Sequence, residues 1–141
     1  TAACCTWSTP APTSDLREKS VRYMVMHYQT QDMEDGVPPS PEQQAAIGEY
    51  MQEAAMAGVL LTGEGVGPSS KGARVEVDNG AVRVIDGPFA EAKELIAGFA
   101  ILEVDALAEA VEHARRWAQI IGTHRVDVRK VVEIEDLQPG G

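Results

Sequence analysis

The chain has 141 residues and a formal net charge of −10, from 22 acidic and 12 basic side chains. That length suggests one domain with a core able to fold without staples. An acidic balance with 5% aromatic residues argues against nucleic acid, which needs clustered cations or base-stacking rings. It argues equally against an anionic membrane surface, and no stretch approaches a membrane span.

Residues 1–20 are rich in Thr, Ala, Ser and Pro and lack a basic start followed by a long apolar run. They read as a disordered N-terminal extension rather than a signal peptide. The two cysteines, Cys4 and Cys5, are adjacent there, so neither a disulfide framework nor a structural zinc site is expected. A cytoplasmic location fits that pattern. The folded domain is expected over 21–137, with 138–141 as a tail.

"VRYMVMHY" (21–28) has the period-two features of a strand. A polar loop, "QTQDMEDGVPPS", follows. Ser40-Pro41-Glu42-Gln43 then forms a capping box, and apolar residues at helical spacing from Ile47 predict an amphipathic helix over 41–57 that ends at Gly58. "VLLTGEG" is a short strand. "ARVEV" and "AVRVI" alternate around Asp78-Asn79-Gly80, a hairpin signal, because Asn-Gly tolerates positive φ.

Next come Asp86-Gly87-Pro88-Phe89 and a short helical turn at 90–94, then the strand "IAGFAILEV". Asp105 is expected to cap a second helix, with Leu107, Ala110, Val111, Ala114, Trp117, Ala118 and Ile121 on one side and Gly122 at its end. "RVDVRKVVEI" is the last strand. Around the hairpin this order is β-α-β-β-α-β, the ferredoxin-like α+β arrangement with an antiparallel sheet. Both helices should cover one sheet face. "YMVMHY" and "IAGFAIL" are apolar at both parities, so the other face also asks for cover. A homodimer through that open face is the expected solution.

Asp86-Gly87-Pro88-Phe89-Ala90-Glu91-Ala92-Lys93-Glu94 resembles the signature of the YCII-related family, in the branch marked by a DGPF motif. "AGVLLTGEGVGPSSKGARV" (57–75), "YMVMHY" and "VDVRKV" are similar to further segments of that group. The resemblance implies a dimeric α+β barrel, two ferredoxin-like units with facing sheets, whose relatives act on small cyclic compounds. It implies no settled reaction. Some relatives carry a His–Asp pair with the His at the start of the first helix, whereas here that start is Pro41-Glu42-Gln43-Gln44.

Asp86 ends an apolar strand at a rigid turn. Burial there would raise its pKa and suit it to proton transfer, the alternative being a helix cap. Lys93 could hold an anion or polarise an oxygen, with Glu91 and Phe89 beside it, or could simply pair with a carboxylate in solvent. Ser69, Ser70 and Lys71, in Gly-Pro-Ser-Ser-Lys-Gly, offer hydroxyls and one cation to a carboxylate or phosphate, although the loop is no P-loop. His27 titrates near neutrality and could shuttle protons, or be a satisfied structural imidazole. Arg129 shares a strand face with Asp127 and would lie inside a dimer. The three His have no metal-ligand spacing, and Gly63-Glu64-Gly65 is no dinucleotide fingerprint. The expectation is a small-molecule enzyme using cofactor-free, metal-free acid–base chemistry on an anionic or cyclic organic compound. The DGPF turn would aim Asp86 and Lys93 into a cavity between the helix-covered sheet and its partner copy, with the flanking strands as walls. A non-catalytic small-molecule-binding or regulatory module is the alternative.

Overall fold

The computed structural model describes residues 20–137. Most of the expected extension, including Cys4 and Cys5, and the tail at 138–141 lie outside the described residues. In chain order the elements are β1 (Val21–Tyr28), α1 (Gln31–Glu34), α2 (Pro41–Met56), β2 (Leu60–Gly65), β3 (Ala73–Asp78), β4 (Ala81–Asp86), β5 (Ile96–Val104), α3 (Leu107–Ile121), β6 (Val126–Lys130) and α4 (Ile134–Leu137). Two 3₁₀ turns, Ser69–Lys71 and Ala92–Glu94, flank the β3–β4 hairpin.

Four strands form one antiparallel sheet in the order β2-β5-β1-β6. With the β3–β4 hairpin set aside, this is the ferredoxin-like order, the two central strands flanked by the other two. Val25 pairs with Ala100 and Val128, and Tyr23 with Leu102 and Lys130. Because side chains alternate across a strand, this register sends Tyr23, Val25, Ala100, Leu102 and Val128 to the helix-covered face. There they meet Ala110 and Ala114 of α3, which are buried together with Val104. The small alanines let α3 lie close on the sheet. The opposite parity, Met24, Met26, Phe99 and Ile101, shares the other face as the cross-strand pairs Met24–Ile101 and Met26–Phe99.

Ser40 caps α2 as its sequence dictates, its hydroxyl accepting from the Gln43 N–H at 3.1 Å. Gln43 then reaches the end of α3, its amide donating to the carbonyls of Ile120 (3.0 Å) and Ile121 (2.8 Å). Carbonyls left over at a helix end are satisfied in this way. Gly58 and Gly122 take positive φ just past their helices. Asn79 and Gly80 take positive φ in the β3–β4 turn, the hairpin geometry their side chains predict.

Four expectations are corrected. Asp105 does not cap α3; Ala106 stands at that position without a side-chain bond, and the Asp105 N–H instead donates to Glu109 at 3.2 Å. The turn expected at 90–94 is a 3₁₀ turn over Ala92–Glu94. The polar loop contains α1, capped by Thr30 through the Met33 N–H at 3.2 Å. The last strand ends at Lys130, and α4 follows. Glu133, between them, forms a bidentate ion pair with Arg22 at 2.7 and 2.9 Å, which ties the segment after β6 to β1.

Leu102 is 3% exposed at the centre of this packing. Leu102→Ala should cost about 2–5 kcal/mol through lost burial and the cavity left behind. Chemical denaturation monitored by circular dichroism measures that loss as a lower midpoint.

Candidate functional site

The helix-covered face is not filled everywhere. Between β1, β2 and β5 on one side and α2 and α3 on the other lies a cavity of about 270 Å³. Most of its wall is apolar, with Val25, Ile47, Met51, Leu60, Leu102 and Ile121 among the lining residues. Phe99 of β5 lines it as well, as do four further ring residues: His27, Tyr50, His113 and Trp117.

These rings are linked. The Trp117 indole N–H donates to His27 Nδ1 at 3.0 Å, and the two rings meet edge-on. Tyr50 contacts Trp117, and its hydroxyl bonds His113 Nδ1 at 2.6 Å. An indole N–H is only a donor, so Nδ1 of His27 must be the acceptor and the neutral ring carries its proton on Nε2. His27 is 7% exposed, and burial lowers its pKa, because desolvation disfavours the charged ring. The side chain is thus a neutral imidazole with one N–H left over. Among the described residues that Nε2 makes no hydrogen bond.

Gly98 makes this placement possible. It pairs with His27 across β1–β5, and a Cβ there would lie 2.5 Å from His27 Cε1 and 3.2 Å from Nε2. Any larger residue would displace the ring.

A second cavity, of about 600 Å³, adjoins the first, and His27, Ile47 and Ile121 line both. Its wall is more polar and includes Gln29, Thr30, Asp32 and Gln43. Neither cavity is lined by Lys or Arg. Gln29 is 1% exposed. Its amide Nε2 donates to Glu34 at 2.9 Å, while its Oε1 is buried with no partner.

Glu34 is held in turn by the DGPF turn and the loop beside it. The Ser69 N–H donates to Glu34 at 3.0 Å, and the Ser69 hydroxyl bonds the second carboxylate oxygen. The same hydroxyl accepts from the Phe89 N–H at 2.9 Å. These bonds to its charged form hold the Glu34 carboxyl below the ordinary carboxylate range. Gly87 presses directly against the Ser69 carbonyl, in space a Cβ would occupy, and its N–H bonds Gly72. Arg74 lies over the Phe89 ring and pairs with Glu91 at 2.6 Å.

The structure therefore distributes the residues singled out in the sequence. His27 lines both cavities. Ser69, Phe89 and Glu91 are brought together in the clasp around Glu34 and Arg74. Asp86, Lys93, Ser70 and Lys71 are exposed and line neither cavity. The Lys93 carbonyl bonds the His124 ring at 3.1 Å. Arg129 is exposed on β6, while its neighbour Asp127 accepts from the Tyr28 hydroxyl at 2.6 Å. Tyr50, His113, Trp117, Gln29 and Glu34 were not singled out. His113 and Trp117 stand four apart in α3, a spacing that places both on one side; Gln29 and Glu34 carry no such signal. Among the described residues, no group of three or more His, Cys, Asp or Glu is placed to hold a metal ion. No described helix is long and apolar enough to cross a membrane.

The fold and these chambers define a ferredoxin-like α+β domain with an imidazole-centred cavity under its helices. The chain belongs to the YCII-related domain family, whose model matches residues 21–135. No curated protein matches it.

The buried imidazole has a consequence for pH. The His27 pKa is lowered from the ordinary 6.5, so the unfolded chain binds this proton more readily than the folded one. Its contribution to stability is complete above about 6.5 and is lost as pH falls through the folded value. Acidification below pH 6.5 should therefore destabilise the native chain more than His27→Gln, as pH-dependent denaturation of the two proteins measures.

Proposed function

We propose that the domain binds a compact, uncharged cyclic organic compound in the helix-covered cavity, with the free N–H of His27 donating to an acceptor oxygen on the ligand. The observation that carries this reading is a neutral imidazole, 7% exposed, on the wall of an apolar, ring-lined cavity, with Nδ1 committed to Trp117 and, among the described residues, no hydrogen bond at Nε2. Ligand pockets combine apolar walls with a few polar groups that fix the ligand's orientation. The absence of Lys and Arg from both linings favours an uncharged compound over an anion.

Catalysis is the second reading, favoured by one observation. The Tyr50–His113 pair lines the same cavity, so a proton acceptor and the His27 donor share one space. A neutral imidazole can polarise a carbonyl while a base removes a proton beside it. In that case the domain is a cofactor-free isomerase- or lyase-like enzyme.

Acetophenone is a suitable probe, with one ring and one carbonyl. In a Trp7→Phe background, which leaves Trp117 as the sole indole, it should quench fluorescence saturably. His27→Leu should weaken binding about tenfold, the effect of a lost hydrogen bond to a buried donor. Equal binding by both proteins would remove His27 from the reading. Deuterium uptake at the acetophenone methyl group in D₂O separates a catalyst from a binder.

The same proposal includes a second copy of the chain on the open sheet face. What supports it is the contiguous apolar set Met24, Met26, Phe99 and Ile101 on the side away from α2 and α3, together with the dimeric arrangement that the family resemblance implies. A two-fold axis through such a face makes it its own complement. Sedimentation should give twice the chain mass, and Met26→Asp should give the single-chain mass. A single-chain mass for the unaltered protein at micromolar concentration overturns this part.

A further inference from the structure

The sequences of β2 and β5 explain why the first cavity exists. Gly63 pairs with Ala100, and Gly65 with Gly98. Ala100 packs toward the helices, and side chains alternate along a strand, so these four residues share the helix-covered face. None of them carries more than a methyl group, which leaves open floor under α2. Three residues of α2 line the cavity above it: Ile47, Tyr50 and Met51. Tyr50 is held by His113, and Ile47 is β-branched, which restricts its first torsion. Met51 is unbranched and adaptable. Its methyl group reaches down to the floor: a Cβ at Gly63 would stand 3.3 Å from Met51 Cε and 3.5 Å from Ala100 Cβ. Of the residues that line this cavity, Glu64 and Gly65 are the exposed ones, which puts its mouth at the end of β2, next to the Met51–Gly63 contact.

We propose that Met51 is the specificity-determining residue of this cavity, and that its side chain, set against Gly63, limits the ligand to a single ring. This rests on the reading of the first cavity as the ligand's site. His27 Nε2 lies over Gly98, 3.2 Å from where a Cβ there would stand, and the Met51 methyl lies over Gly63, which pairs with Ala100. Gly98 and Ala100 are two residues apart on β5, about 7 Å along a strand. An oxygen bonded to Nε2 therefore leaves space for one ring before the ligand meets Met51. A second fused ring would have to displace the thioether. Gly63 contributes by having no side chain: any Cβ there would press the Met51 methyl out of its place.

The test uses the full chain and two methyl ketones, acetophenone and 2-acetonaphthone, with binding measured by equilibrium dialysis. The two-ring ketone has the larger apolar surface and would bind more tightly wherever space is open. The native chain should instead bind acetophenone about tenfold more tightly, the discrimination that a bounded apolar pocket exerts against extra carbon. Met51→Ala should shift the ratio of the two affinities toward 2-acetonaphthone by about tenfold. Gly63→Ala should weaken acetophenone binding about tenfold in the native background, because the added methyl group drives Met51 into the ring's space, and by about twofold or less in the Met51→Ala background. That coupling assigns the effect to the Met51–Gly63 contact rather than to a general loss of structure. If Met51→Ala fails to fold, the shorter and stiffer Met51→Val replaces it in both comparisons. Tighter binding of 2-acetonaphthone by the native chain, or a ratio that the Met51 variant leaves unchanged, while acetophenone still binds, overturns the role of Met51 alone. Failure of acetophenone itself overturns the reading of the cavity and this inference with it.

Discussion

A single hydrogen bond, from the Trp117 indole to His27 Nδ1 at 3.0 Å, fixes the chemistry of the cavity. It ties α3 to β1 across the space between helix and sheet. It also sets the tautomer, because an indole has nothing to accept with. Burial then keeps the ring uncharged, and Gly98 leaves room for it against the neighbouring strand. From these three conditions follows a side chain that can offer a ligand one N–H without the cost of burying a full charge.

The second organising feature is the carboxylate of Glu34. It collects hydrogen bonds from Gln29 at the end of β1 and from Ser69 in the 3₁₀ turn, and Ser69 in turn accepts from the DGPF turn. One charged residue of that motif serves this junction: Glu91 pairs with Arg74, which covers Phe89. The motif therefore stands one shell away from the cavity, connected to it through Ser69, Glu34 and Gln29. The exposed Asp86 and Lys93 lie outside that chain of contacts.

Most of the fold was legible because its signals are local. Ser40 before Pro41, Asn79-Gly80 between two alternating runs, and Gly122 after an amphipathic stretch each dictate backbone geometry within a few residues. The register of β1 against β5 was not legible, because both strands are apolar at both parities and only the structure shows which parity meets α3. The cavity was legible only in part. His27 drew attention as a titratable residue in an apolar strand. Tyr50 and Trp117 fit the apolar stripes of their helices equally well as filler, and only tertiary placement gives their polar atoms partners. Glu34 sits in a stretch whose Gly and Pro residues read as loop, and four residues are too few to show helical periodicity. Asp105 was expected to cap α3 because Asp favours that position; the helix begins one residue later, and Glu109 satisfies the Asp105 N–H instead.

The state of the His27 ring tests this account most directly. Long-range ¹H–¹⁵N correlation spectra of the imidazole nitrogens at neutral pH distinguish a protonated nitrogen from an acceptor. The account predicts a neutral ring with its proton on Nε2, with Nδ1 shifted by the bond from Trp117. A proton on Nδ1, or a ring charged at neutral pH, would contradict it.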